Sequence, residues 1–141
     1  MNTQKTAQKD TDTVQKTVIS SKNLDLTFQT KDGPVQALKD VSLDIMKGDF
    51  VSFIGPSGCG KTTFLRCMAD LEKPTGGKIT VNGVAPEISR KARSYGYVFQ
   101  AAGLYPWRTI SGNIKLPLEI MGYNKQEQLK RVARVVELVE L

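Results

Sequence analysis

The sequence predicts an α/β fold, and three observations carry that prediction. "FVSFI", residues 50–54, is apolar at nearly every position, the pattern of a strand buried on both faces of a parallel sheet. A glycine-punctuated loop, "GPSGCGKTT", follows it directly and runs into residues spaced as a helix. Short alternating segments precede this unit and helical segments follow it, so strands and helices are arranged around a central loop.

The elements follow in chain order. Residues 1–17, "MNTQKTAQKDTDTVQKT", hold almost nothing that could be buried and are expected to form a disordered tail. From Val18 the chain reads as β structure. "LDLTF", a second segment after the "KDGP" turn, and "VSLDI" with its alternating Val41, Leu43 and Ile45 predict a small antiparallel sheet, closed by the "MKGD" turn. Phe64, Leu65 and Met68 predict one apolar stripe on the helix after the glycine loop, and the breakers in "EKPTGG" are expected to end it. "KITVNG" and "YGYVF" read as two further strands, the second ending at Gln100. Beyond it, "TISGNIKLPLEIMG" is a mixed segment interrupted by Pro117. Asn124 and Glu127 stand at capping-box spacing before a helix whose Leu129, Val132, Val136 and Val139 share one face.

Composition narrows the class without naming a function. An apolar fraction of 40% and a charged fraction of 24% are ordinary for a globular protein. The formal charge of +6 is spread along the chain, which gives little support to nucleic-acid binding. Cys59 and Cys67 fit neither a redox nor a zinc spacing, and there is no histidine to complete a metal site. Cys67 is expected on a buried helix face and Cys59 at a variable loop position. The sequence holds no apolar run of membrane-spanning length and no secretory leader, so a cytoplasmic location is expected.

The central loop carries the chemistry. Gly55, four residues, then Gly60, Lys61 and Thr62 match G-x-x-x-x-G-K-[ST], the phosphate-binding loop. A triphosphate needs several hydrogen-bond donors at close range, and backbone N–H groups converge on it only where side chains do not intrude, hence Gly58 and Gly60. The helix that starts here presents its positive dipole end to the phosphates. Lys61 offers a mobile charge to the β- and γ-phosphates, the Thr62 hydroxyl a hard oxygen to Mg²⁺, and Thr63 a donor to the α-phosphate. Pro56, Ser57 and Cys59 fill the variable positions of the loop.

The flanking residues add more. "LKDVSLDIMKGDFVSFIGPSGCGKTTFLRCMADLEKPTGGKITVNG" followed by "YGYVFQAAGLYPWRTISGNI" closely resembles the nucleotide-binding subunit of ATP-binding cassette (ABC) transporters, from about Val18 to Leu141. The resemblance implies a P-loop NTPase core of the RecA-like type, with an N-terminal antiparallel β subdomain and the start of a helical subdomain. Residues 18–100 would form the β subdomain and the phosphate-loop half of the core, and residues 101–141 the Q-loop and the first helices. It also implies ATP and Mg²⁺ as cofactors, Phe28 as the ring that stacks on adenine, and Gln100 as the Q-loop glutamine, a metal ligand or water-orienting group. "LYPWRT", Leu104–Thr109, resembles importers of nitrate, aliphatic sulfonates and taurine, apart from Tyr105 where leucine is usual.

The partners implied are a membrane permease, a second ATP-binding subunit in a homodimer-type sandwich and a solute-binding protein, with the chain held peripherally on the inner face of the membrane. The family's signature sequence, Walker B strand, D-loop and switch histidine are missing after "ELVEL", so the chain is expected to be truncated and inactive alone. The phosphate-loop strand is then expected to lack sheet neighbours, and the last helix to lack a surface for its valines. Two alternatives stand beside an importer ATPase. One is a non-catalytic nucleotide-binding module completed by a separate chain, and the other a non-transport ABC or phosphate-loop protein.

Overall fold

A computed structural model describes residues 16–101 and 103–140. Most of the expected tail lies outside the described residues, but Thr17 does not belong to it, because it opens the first strand. Two compact units result, one ending at Tyr97 and the other beginning at Val98.

The first unit is built on a hairpin. Strands β1 (Thr17–Thr30) and β2 (Gly33–Met46) pair antiparallel through a two-residue turn at Lys31 and Asp32. Gly33 there takes a φ of 113°, a conformation that glycine reaches without cost. The segment after "KDGP" and "VSLDI", read as separate, are one continuous strand, β2. Strand β3 (Gly76–Val81) joins the other edge of β1, so the sheet order is β2-β1-β3 and every pairing is antiparallel. One face of this sheet carries Leu24, Leu26, Leu38 and Ile79, which close a core against Phe64, Cys67 and Met68 of helix α1 (Lys61–Met68). Cys67 is buried as expected, and burial pushes its thiol up from the ordinary range. Leu65 departs from the expected stripe and is 40% exposed, its place taken by Cys67.

Helix α1 also stops earlier than its breakers suggest. Its C-cap is Ala69, and Asp70 follows in the left-handed region at φ 54°. The Leu71 N–H donates to the Arg66 carbonyl at 2.8 Å and the Asp70 N–H to the Cys67 carbonyl at 3.2 Å, the paired bonds of a Schellman ending, with aspartate where glycine is usual. The Asp70 carboxylate, itself buried, accepts from Lys73 and from Arg90 Nε at 2.9 Å, which ties the end of α1 to helix α2 (Pro86–Lys91).

Two expected strands are not formed. Residues 50–54 and 95–99 carry no regular secondary structure, and Phe50, Ile54 and Val98 are 96%, 95% and 96% exposed. A strand apolar on both faces is stable only between neighbours, and among the described residues no segment pairs with residues 50–54. Phe53 alone is anchored, its ring set edge-on to Phe64 at 5.5 Å.

The second unit is a helical pair, α3 (Ile110–Ile120) and α4 (Lys125–Leu138). Thr109 caps α3 by accepting from the Gly112 N–H, and Asn124 caps α4 by accepting from the Glu127 N–H at 2.9 Å. Only the asparagine half of the expected capping box forms, since the Glu127 carboxylate turns to Arg131 at 2.8 Å instead. Pro117 sits inside α3 without ending it. Val132 is buried, whereas Leu129, Leu138 and Val139 are exposed.

Candidate functional site

Residues Gly55–Thr62 form a tight turn that leads into α1. Gly58 and Gly60 have φ of 81° and 91°, which side-chain-bearing residues rarely adopt. Gly60 is doubly constrained, because a Cβ there would stand 2.6 Å from the Ala37 carbonyl oxygen of β2 and 3.0 Å from Leu38 Cδ2. At Gly55 an added Cβ would meet Cys59 Sγ at 2.9 Å, so the small residue leaves room for the loop to fold back over itself. The first intrahelical bond runs from the Phe64 N–H to the Gly60 carbonyl at 2.8 Å. No side chain caps the N-terminus of α1, and its first turn holds no acidic residue. The donors ahead of that bond are therefore available to an anion, and the helix dipole favours one.

Lys61 curls back over the loop. Its Nζ donates to the carbonyls of Gly55 at 2.7 Å and Pro56 at 2.6 Å and lies 3.4 Å from Cys59 Sγ. The ammonium thus hovers over the concave side of the turn, where phosphate oxygens could replace these carbonyls as acceptors. Ser57 is exposed, as is Thr62 in the first turn of α1, and Thr63 beside it is half-buried. The Thr62 hydroxyl with phosphate oxygens and water suits Mg²⁺, which takes few protein ligands. Beneath the loop an apolar cleft of about 360 Å³ is lined by Leu38, Val41, Phe53, Ile54 and Phe64.

Phe28 lies on β1 opposite Val35 of β2, with part of its ring open to solvent. It shares a unit with the loop. Gln100 belongs to the other unit, at an exposed bend just after Val98 and Phe99. In that unit Trp107 is 75% exposed and its ring lies 5.0 Å from that of Tyr105.

Sequence reasoning passed over the residue that shapes this second region. Asn113 accepts from the Tyr105 N–H at 2.7 Å and donates to the carbonyls of Tyr105, Arg108 and Thr109 at 3.1, 3.2 and 3.0 Å. Arg108 adds a 2.9 Å ion pair to Glu119 of α3. An asparagine one turn into a helix after a proline-containing loop is the signal that could have found it, since its amide alone can bridge so many loop backbone groups.

A family profile described as ABC transporter matches residues 38–141, which covers the loop, α1 and both helices of the second unit. The chain belongs to the ABC transporter family. It is similar to the methionine import ATP-binding protein MetN 1 of Bacillus cereus, 41% identical over 130 residues that cover 88% of this chain and 38% of that protein. MetN 3 of Shouchella clausii is 42% identical over the same shares. An uncharacterized ABC transporter ATP-binding protein of Methanocaldococcus jannaschii, MJ0412, is 36% identical over 89% of this chain and 46% of its own.

Among solved structures, the ABC cassette MJ0796, a dimer in a post-hydrolysis state bound to ADP and Pi, superposes with a TM-score of 0.76 at 34% identity, covering 87% of this chain and 57% of that one. The fold is therefore that of ABC ATPase cassettes, of P-loop NTPase type. The chain spans less than half the length of these curated relatives. Their names give no support to the nitrate, sulfonate and taurine branch that Leu104–Thr109 suggested.

Proposed function

We propose that this chain carries the nucleotide-binding part of an ATPase that drives solute import through an ABC transporter. The observation that carries the reading is the loop Gly55–Thr62, with its two left-handed glycines, its uncapped helix start and the Lys61 ammonium above the concave side. In this reading the backbone N–H groups and Lys61 hold the β- and γ-phosphates, Thr63 reaches the α-phosphate, and Phe28 stacks on adenine. Thr62 ligates Mg²⁺, which neutralises charge between the β- and γ-phosphate oxygens. Gln100 completes the metal site or orients water, and its loop transmits the nucleotide state to a membrane permease.

The family resemblance supports a second ATP-binding subunit, a solute-binding protein and a place on the cytoplasmic face of the membrane. No helix among the described residues is long and apolar enough to cross it. The relatives named for methionine make that amino acid the first solute to test. A second reading, nucleotide binding without turnover until a separate chain completes the site, is favoured by the bare apolar faces at residues 50–54 and on α4.

The deciding experiment is ATP binding by calorimetry for the wild-type chain and for Lys61→Ala. Loss of one charge-assisted contact is expected to weaken binding by about 10- to 100-fold. Equal affinity in the variant would overturn the loop assignment, and ATP turnover by the wild-type chain alone would exclude the second reading.

A further inference from the structure

The ladder between β1 and β2 is interrupted just beside the phosphate loop. Leu26 pairs with Leu38 and Thr27 with Gln36, so one step along β1 matches two along β2, and Ala37 is the extra residue of a β-bulge. A bulge residue drops out of the ladder and its carbonyl is re-aimed. Here the Ala37 oxygen faces Gly60, close enough that a Cβ on Gly60 would sit 2.6 Å from it, and the next side chain, Leu38, packs against the same glycine while lining the cleft below the loop. Two residues before the bulge, Val35 stands directly opposite Phe28. The separation along β2 from Val35 to Ala37 is about 7 Å at ordinary strand rise.

We infer that the Ala37 bulge is a positioning device, a fixed spacer that holds the base platform at Phe28 and the phosphate loop at the separation required by a single nucleoside triphosphate. The inference rests on the nucleotide-binding reading above and adds to it the part that joins the two subsites. A ligand that touches both gains over its fragments only if their spacing is fixed before binding, because a second contact then forms at high effective concentration. The bulge supplies that fixity. It clamps Gly60 from the strand side, and Leu38, buried in the core, keeps the strand from retreating.

The test uses three ligands on the whole chain: ATP, adenosine and inorganic tripolyphosphate. Deleting Ala37 removes this bulge, leaving the other register shifts of the ladder in place, and shifts the platform relative to the loop, and Leu38→Ala loosens the clamp without changing register. In either variant ATP affinity is expected to fall about tenfold or more, while adenosine and tripolyphosphate each change by less than about threefold. Parallel loss of all three ligands, unchanged ATP affinity, or loss of the circular-dichroism signal of the fold in both variants would overturn the spacer. Failure of the wild-type chain to bind tripolyphosphate would instead remove the phosphate-loop reading on which it stands.

Discussion

The sheet and α1 on one side, and residues 50–54 with the outer face of α4 on the other, carry similar apolar content but reach different ends. The first region is complete in itself. Strands β1 and β2 meet in a hairpin, β3 returns after α1 to pair with the other edge of β1, and Leu24, Leu26 and Leu38 close on Phe64 and Met68 with almost no exposure. The second region is no less hydrophobic, yet Phe50 and Ile54 face solvent and Leu138 is 81% exposed. Apolar residues bury themselves only where a complementary surface is present. Antiparallel hairpins supply that surface locally, whereas a parallel strand needs distant neighbours.

Substitutions can break or sharpen this contrast. Leu24→Ala, in the completed region, is expected to lower stability by about 3–4 kcal/mol, read as a shift of the urea midpoint. Asp70→Asn weakens the tie between the end of α1 and α2 and is expected to cost about 1 kcal/mol by the same measurement. Burial raises the Asp70 carboxyl, but hydrogen bonds from Lys73 and Arg90 outweigh it and hold the group below the usual carboxylate range. Its contribution is therefore present above about pH 4, the unfolded value, and is lost as pH falls through the lower folded one. An acid titration of Asp70→Asn should show a shallower loss of stability than wild type.

Removing the Asn124 cap with alanine is expected to cost about 1 kcal/mol of α4 stability, visible as reduced helical circular dichroism. Leu138→Ala should change stability by less than about 0.5 kcal/mol, because its side chain is already in water. A loss near that of Leu24→Ala would mean that α4 is covered in solution and would erase the contrast. Amide exchange gives the same comparison without mutation, with slow exchange in β1 and fast exchange at residues 50–54.

Much of the completed region was legible in the sequence, because its cues are local. "KDGP" fixed the hairpin turn, the alternation in "VSLDI" and "KITV" fixed the strands, and the loop motif fixed the start of α1. The loop motif was the most readable feature of the candidate site, although the left-handed glycines and the contact of Lys61 with the Gly55 carbonyl emerge only in the folded loop. What was missed depended on partners. "FVSFI" was read as a strand because its composition states only that it prefers burial, and nothing in those five residues records whether a neighbour is present. Helix α1 ended at Ala69 through a left-handed aspartate, which a search for glycine and proline passes over. The Ala37 bulge was invisible for a related reason, since it is defined by the register of an opposing strand, whereas the Asn113 network is local and its signal was passed over.

The Asn113 network gives the second unit a built-in optical reporter. Trp107 is the chain's single tryptophan, solvent-facing and adjacent to the Tyr105 ring, in a loop whose backbone one asparagine fastens to the helix behind it. Its emission therefore reports from within the helical unit. A spectral change on adding nucleotide would register communication between the two units in unlabelled protein, and a constant spectrum alongside measurable binding would mean that the loop closes on its ligand without informing its neighbour.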